Sequence, residues 1–174
     1  YTLDIPNNEI RVGLYSSLLP NFLGEEVVEG RVVIANMSRC INNGDIDGAL
    51  RLLQTFLETV PYCDNTAYEG HYQQMMYVVF SLLTPYRITV EQHTSRGRTD
   101  MTLETERYVY VMELKFGKSA DEALVQIEDR KYAEAFALSG KDVVKVGINF
   151  DVDKEHNIVE WKVSGTQTKN NNNE

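Results

Sequence analysis

Two neighbouring stretches decide the fold: Arg98-Thr99-Asp100-Met101-Thr102-Leu103 and Tyr108-Val109-Tyr110-Val111-Met112-Glu113-Leu114-Lys115. They predict a β-hairpin that turns at residues 104–107. Because side chains alternate along a strand, Glu113 and Lys115 fall on one face of an otherwise apolar strand. Charges at such a position are expensive to bury without a use. Asp100 on the paired strand is expected to reach the same end of the sheet, so the hairpin predicts a site of two carboxylates and a lysine.

The hairpin pattern alone leaves two interpretations open. Asp100 and Glu113, with the backbone carbonyl of Leu114, are hard oxygen ligands of the kind that Mg²⁺ prefers. Lys115 could then stabilise negative charge during attack at phosphorus. Alternatively, Glu113 and Lys115 lie on a solvated strand face and Asp100 merely begins a strand, and the spacing by itself slightly favours this second interpretation. The apolar surroundings of Glu113, and carboxylates placed at structural breaks, favour a functional site.

Composition restricts the function classes. The chain has 174 residues, of which 43% are hydrophobic and 25% charged, as in a single soluble globular domain. No apolar run approaches the ~18 residues of a membrane span, and a cytoplasmic protein is expected. A net charge of −9 argues against a protein that coats nucleic acid by charge alone, but does not exclude a nucleic-acid enzyme with a local basic face. The start without Met or a leader predicts a piece of a longer protein.

The order of elements predicts a helical first half and a mixed second half. Apolar spacing indicates helices near residues 12–23, 29–42, 45–60 and 64–84. Strands are predicted at 86–92, in the hairpin, at 143–150 and at 157–163, with one helix over 120–138 that is capped by Ser119. We therefore expect an N-terminal helical region, residues 1–60, packed on an α/β core of residues 61–165. The asparagine-rich tail, 166–174, is expected to be disordered.

Several motifs in this order resemble those of the PD-(D/E)xK nuclease superfamily. They are Gly97-Arg98-Thr99-Asp100, Met112-Glu113-Leu114-Lys115, Gln126-Ile127 and Lys131-Tyr132. More narrowly, the chain is similar to the DUF1703-type C-terminal domain of bacterial AAA-ATPase-like proteins, which Tyr68-Glu69-Gly70-His71-Tyr72 also matches. One departure is Thr99-Asp100 where the superfamily motif has Pro-Asp, and the Asp that carries the chemistry is retained.

The resemblance implies a fold and a set of site residues. The fold is α/β with a restriction-endonuclease-like core, a mixed β-sheet flanked by helices, and extra N-terminal helices. Asp100, Glu113 and Glu69 are implied as ligands of Mg²⁺ or Mn²⁺, with Lys115 as the catalytic lysine and Gln126 as a further catalytic and substrate-facing residue. The substrate-binding residues expected beside them are Arg98, Arg130, Lys131 and Tyr132.

The expected function is a metal-dependent, nuclease-like domain that hydrolyses phosphodiester bonds, with DNA as the substrate. The implied partners are nucleic acid and an N-terminal AAA-ATPase-like domain of the same polypeptide. Two alternatives stay open: a non-catalytic module of the same fold that binds nucleic acid or protein, and an interaction platform for the ATPase half. The oligomeric state is also open, with a homodimer among the alternatives.

Overall fold

A computed structural model describes residues 27–58, 87–94, 97–150 and 158–165. The helices in these ranges are α1 (Val27–Asn42), α2 (Ile46–Glu58), α3 (Ala120–Asp129) and a short 3-10 helix (Tyr132–Phe136). The strands are β1 (Arg87–Thr94), β2 (Gly97–Glu104), β3 (Tyr108–Phe116), β4 (Asp142–Phe150) and β5 (Ile158–Gly165). None of the described helices is long and apolar enough to span a membrane.

The five described strands form one sheet in the order β1-β2-β3-β4-β5. β1, β2 and β3 are an antiparallel meander, β3 and β4 are parallel, and β5 is antiparallel to β4. The parallel pair is joined through α3, as a parallel connection requires. This mixed sheet with flanking helices confirms the predicted restriction-endonuclease-like fold.

Helices α1 and α2 cover one face of the sheet. α1 ends at Asn42, and Gly44 just beyond it has a φ of 81°, in the left-handed region that glycine adopts without strain, as the Asn43-Gly44 pair predicted. Asp45 caps α2 by accepting a hydrogen bond from the Gly48 N–H at 2.9 Å. Between helix and sheet, the buried hydroxyl of Tyr110 donates to the Ile41 carbonyl at 2.6 Å. The two helices and the sheet therefore share one continuous core.

Helix α3 lies against the opposite face of the sheet. Ser119 caps its N-terminus and accepts from the Glu122 N–H at 3.1 Å, as the sequence predicted. The helix approaches β4 so closely at Gly147 that a Cβ there would collide with the carbonyl oxygen of Ala120. Only glycine permits this approach, because any other residue would push α3 away from the strand.

The prediction of one continuous helix over 120–138 is wrong. α3 ends at Asp129, and Lys131 adopts a left-handed conformation with φ 52° and ψ 37°. The chain then forms the 3-10 helix, which buries Tyr132 and Phe136 in a small apolar cluster with β3. Burial of these two rings offsets the cost of a left-handed lysine, of order 1–2 kcal/mol. No glycine marks the break, so helical spacing alone continued across it.

Other predictions fall on parts of the chain that the structure does not describe. They are the helices near 12–23 and 64–84, the tail at 166–174, and Glu69. The proposed division into an N-terminal helical region and a core, with its boundaries at residues 60 and 165, stays a prediction.

Candidate active site

The two faces of β3 have different partners, and this places the charged pair. Tyr110, Met112 and Leu114 point into the core beneath α1 and α2. The alternate residues, which begin with Val109 and Val111, face α3. Glu113 and Lys115 continue that second row beyond its apolar part. The side chain of Glu113 is only 2% exposed and that of Lys115 only 15%.

Asp100 joins this pair from the neighbouring strand. The antiparallel register pairs Met101 with Met112, so Asp100 lies beside Glu113 at the end of the hairpin. The N–H of Leu114 donates to Oδ2 of Asp100 at 2.9 Å. This hydrogen bond holds the Asp100 carboxyl against the strand that carries Glu113. Both carboxyl groups therefore occupy one end of one sheet, as the hairpin pattern predicted.

Gln126 connects α3 to the two charged residues of β3. Nζ of Lys115 donates to Oε1 of Gln126 at 2.6 Å and to Oε1 of Glu113 at 3.1 Å. Nε2 of Gln126 donates to the same Glu113 oxygen. The three side chains form a closed triangle in which the lysine ammonium and the glutamate carboxylate are both oriented by the amide.

Burial and proximity change the acidity of the two carboxyl groups. Burial and the neighbouring charge of Asp100 raise the pKa of Glu113 to about 7, while Lys115 opposes the rise. Burial also raises the pKa of Asp100, although the hydrogen bond from the Leu114 N–H and the charge of Lys115 act the other way. Two carboxylates this close repel each other, so a cation between them would favour the ionised forms.

One atom of the site tests whether a divalent cation fits. Oε2 of Glu113 is buried and has no hydrogen-bond partner within the described part of the chain. A buried carboxylate oxygen without a partner costs free energy, which a bound ion or an ordered water would recover. With the Asp100 carboxyl beside it, this oxygen supplies hard donors suited to Mg²⁺ or Mn²⁺. No group of three or more His, Cys, Asp or Glu side chains among the described residues is arranged for a metal, so waters or residues outside these ranges would complete the shell.

The triangle opens onto a cleft of about 700 Å³ between β2, the β3–α3 loop and α3. Lys115 and Gln126 lie on its wall, and Arg98, Lys118 and Arg130 add positive charge around them. An anionic substrate that enters the cleft would meet the Lys115 ammonium near the two carboxyl groups. The cleft thus brings cationic side chains close to the two carboxyl groups.

The remaining residues predicted for substrate binding are placed differently from one another. Arg98 and Arg130 are exposed and line the cleft. Tyr132 also borders it, but is only 2% exposed and packs in the apolar cluster below α3. Lys131 is outside the cleft lining and forms an ion pair with Glu134 at 3.1 Å. Glu69 lies outside the described residues, and its role as a ligand stays a prediction.

Asn149 is a site-supporting residue that the sequence interpretation missed. It is buried at 5% exposure and lies opposite Lys115 in the β3–β4 register. Its amide bonds both backbone groups of Lys118: the Lys118 N–H donates to Oδ1 at 3.1 Å, and Nδ2 donates to the Lys118 carbonyl at 3.0 Å. Next to it, Glu160 accepts from the Ala120 N–H at 2.6 Å. A lone amide in the apolar run Val143–Phe150 was the available signal.

The mixed sheet, the hairpin carboxylates and the following lysine define an α/β protein of the restriction-endonuclease-like class. The chain belongs to the PD-(D/E)XK nuclease superfamily, which it matches over residues 67–161, more than half its length. It is also similar to an uncharacterized protein in the vnfD 5′ region of Azotobacter chroococcum mcd 1, with 31% identity over 160 residues. That alignment covers 88% of this chain and 31% of the relative, so the chain spans about a third of that protein's length.

Proposed function

We propose that this chain is a metal-dependent nuclease domain that hydrolyses phosphodiester bonds of DNA. The observation that carries the proposal is the Glu113–Lys115–Gln126 triangle, with an unpartnered buried carboxylate oxygen beside Asp100. A purely structural ion pair would have no need to leave Oε2 of Glu113 without a partner. Membership of a nuclease superfamily supports the same reaction class.

A role can be proposed for each residue of the site. Asp100 and Glu113 would hold a Mg²⁺ or Mn²⁺ ion, with Glu69 proposed as a further ligand. When bound, such an ion polarises a phosphoryl oxygen and offsets charge that develops on the phosphate. Lys115 directs its ammonium into the cleft, where it can orient a water or stabilise negative charge in the transition state. Gln126 holds the ammonium in place through its 2.6 Å hydrogen bond.

The wider context of the domain is also a proposal. Since the chain matches only 31% of its relative's length, a larger polypeptide is consistent with it. We propose a cytoplasmic, DUF1703-type C-terminal domain that works with an N-terminal AAA-ATPase-like domain, and the state of assembly, including a homodimer, is to be measured. Arg98, Arg130, Lys131 and Tyr132 are proposed as substrate-binding residues, with Arg98 and Arg130 best placed by the cleft.

A cleavage assay with a matched lysine control tests the proposal. Plasmid and labelled oligonucleotide DNA are incubated with the protein in EDTA, Mg²⁺ or Mn²⁺. We expect cleavage only with a divalent ion, and its loss in Glu113→Ala and Lys115→Ala. Lys141→Ala is the control, because it also removes a partly buried lysine from an ion pair, with Glu104 at 3.3 Å, at the other end of the sheet. Activity that survives both site substitutions would overturn the assignment, and DNA binding without any cleavage would favour a binding module.

A further inference from the structure

Charged side chains of both signs line the cleft that leads to the proposed site. Four of the described cationic side chains line it: Arg98, Lys115, Lys118 and Arg130. Three carboxylates line the same cleft, and all three belong to α3: Asp121, Glu122 and Asp129. A phosphate backbone would be attracted to the first group and repelled by the second. The cleft therefore favours one path for an anionic chain.

Helical spacing arranges the residues of α3 that line the cleft in two stripes. Glu122, Gln126 and Arg130 are four residues apart, so they form one stripe along the helix, and Gln126 turns this stripe toward Lys115. Asp121, Val125 and Asp129 have the same spacing and form the adjacent stripe. On this second stripe, an apolar side chain that is 56% exposed lies between two carboxylates. This stripe contains no cationic side chain that could bind a phosphate.

The second stripe has a ligand chemistry of its own. Unpaired bases present uncharged, apolar faces, which proteins contact with apolar or aromatic side chains. In a duplex those faces are stacked on neighbouring base pairs, and the second backbone would bring further phosphates toward the α3 carboxylates. Lys162 pairs with Asp121 at 2.5 Å and offsets part of that repulsion, while Asp129 is placed at the other end of the stripe. Val125 is therefore better suited to a base than to a phosphate.

The dimensions of the cleft also favour a single strand. Its volume of about 700 Å³ is within the range of pockets that take a small molecule, roughly 300–1,000 Å³. A cleft of this size can hold a short stretch of one strand. The net charge of −9 for the whole chain adds no general attraction for a highly charged duplex.

We infer that the cleft takes a single strand of DNA, with its phosphates beside Arg98, Lys115, Lys118 and Arg130 and an unpaired base against Val125, and that Asp121 and Asp129 exclude a second strand. This inference rests on the proposed function, since it names the substrate class of the same site. It concerns binding, and binding can be measured without cleavage.

Fluorescence anisotropy with one labelled oligodeoxynucleotide, single-stranded or annealed to its complement, tests the inference in EDTA. We expect the single strand to bind more tightly by a factor on the order of ten, because Asp121 and Asp129 repel the second strand of the duplex. Its affinity should fall with salt with a log–log slope of about −3, for four phosphate contacts. Equal or tighter binding of the duplex would overturn the inference, and so would failure to bind either probe.

A pair of charge-reversal variants separates the local effect from a general one. Asp129→Lys should raise the affinity for the duplex and so narrow the difference in affinity between the two probes. Glu106→Lys is the control, because it changes the total charge by the same amount in the exposed β2–β3 turn, far from the cleft. Val125→Ser should weaken binding of the single strand roughly threefold or more and leave the duplex unchanged. The same narrowing in both lysine variants would contradict the inference.

A cleavage measurement on the same two probes in Mg²⁺ distinguishes the inference from the proposed function. A preference for the single strand without cleavage leaves the inference standing and overturns the nuclease proposal. Cleavage together with equal binding of both probes overturns the inference and leaves the nuclease proposal standing.

Discussion

Replacement of Glu113 by Gln should change how the stability of the metal-free protein depends on pH. The pKa of Glu113 rises from an ordinary 4.5 to about 7 in the folded chain. Below 4.5 the carboxyl is protonated whether folded or unfolded, and its neutral form carries no penalty. Above about 7 it is ionised in both states, and the folded state bears the full penalty of burial and repulsion. Stability is therefore lost as pH rises through this window.

The magnitude follows from the same two pKa values. The full difference corresponds to roughly 3 kcal/mol, and most of it falls between about pH 5 and about pH 8. Wild-type protein should lose this much free energy of unfolding relative to Glu113→Gln, which cannot ionise. Titrating groups remote from Glu113 are common to both proteins and cancel in the comparison, whereas the titration of Asp100 depends on Glu113 and contributes to the difference.

The assay is urea unfolding followed by circular dichroism in EDTA, at the two pH values, for both proteins. Glu134→Gln is the matched control, because it neutralises an exposed glutamate and should track the wild type. Added Mg²⁺ should stabilise the wild type more at the higher pH, where the carboxylates are ionised. If wild type and Glu113→Gln lose stability in parallel between the two pH values, the electrostatic account of the site is refuted.

Three further substitutions test other contacts. Tyr110→Phe removes the 2.6 Å hydrogen bond to the Ile41 carbonyl and should lower the free energy of unfolding by about 1–2 kcal/mol in urea; an unchanged midpoint would contradict the role of this bond. Asn149→Ala removes two hydrogen bonds to the β3–α3 loop and should cost about 2 kcal/mol in the same measurement; an unchanged midpoint would contradict a role of Asn149 in holding the loop. Gln126→Ala should lower the cleavage rate at saturating DNA by roughly tenfold or more while DNA affinity changes little; a pure loss of affinity would make Gln126 a binding residue only.

The sequence predicts best where one local rule determines the outcome. Strand alternation placed Glu113 and Lys115 on one face, and the Ser119 cap fixed the start of α3. The left-handed backbone at Lys131 escaped prediction, because it is stabilised by the burial of rings later in the chain and not by a residue suited to that conformation. The conformation of Lys131 therefore depends on packing between distant parts of the chain, which a local sequence pattern does not show.

The hydrogen bonds within the site were equally beyond the sequence. Nothing in the spacing of Gln126 shows that its amide reaches both Lys115 and Glu113, since that depends on how α3 lies across the sheet. Asn149 was visible as a polar residue in an apolar strand, but its two partners on the Lys118 backbone were not. The nature of the residues was readable, and the distances between elements were not.

The close approach at Gly147 gives this position diagnostic value among related chains. Any side chain there would push α3 away from β4 at the carbonyl of Ala120, in the turns that precede Gln126. A displaced helix would carry the Gln126 amide away from Lys115, even in a chain that keeps every residue with a charge. Glycine at this one strand position is thus a marker, readable from sequence, of relatives whose helix can still reach the lysine.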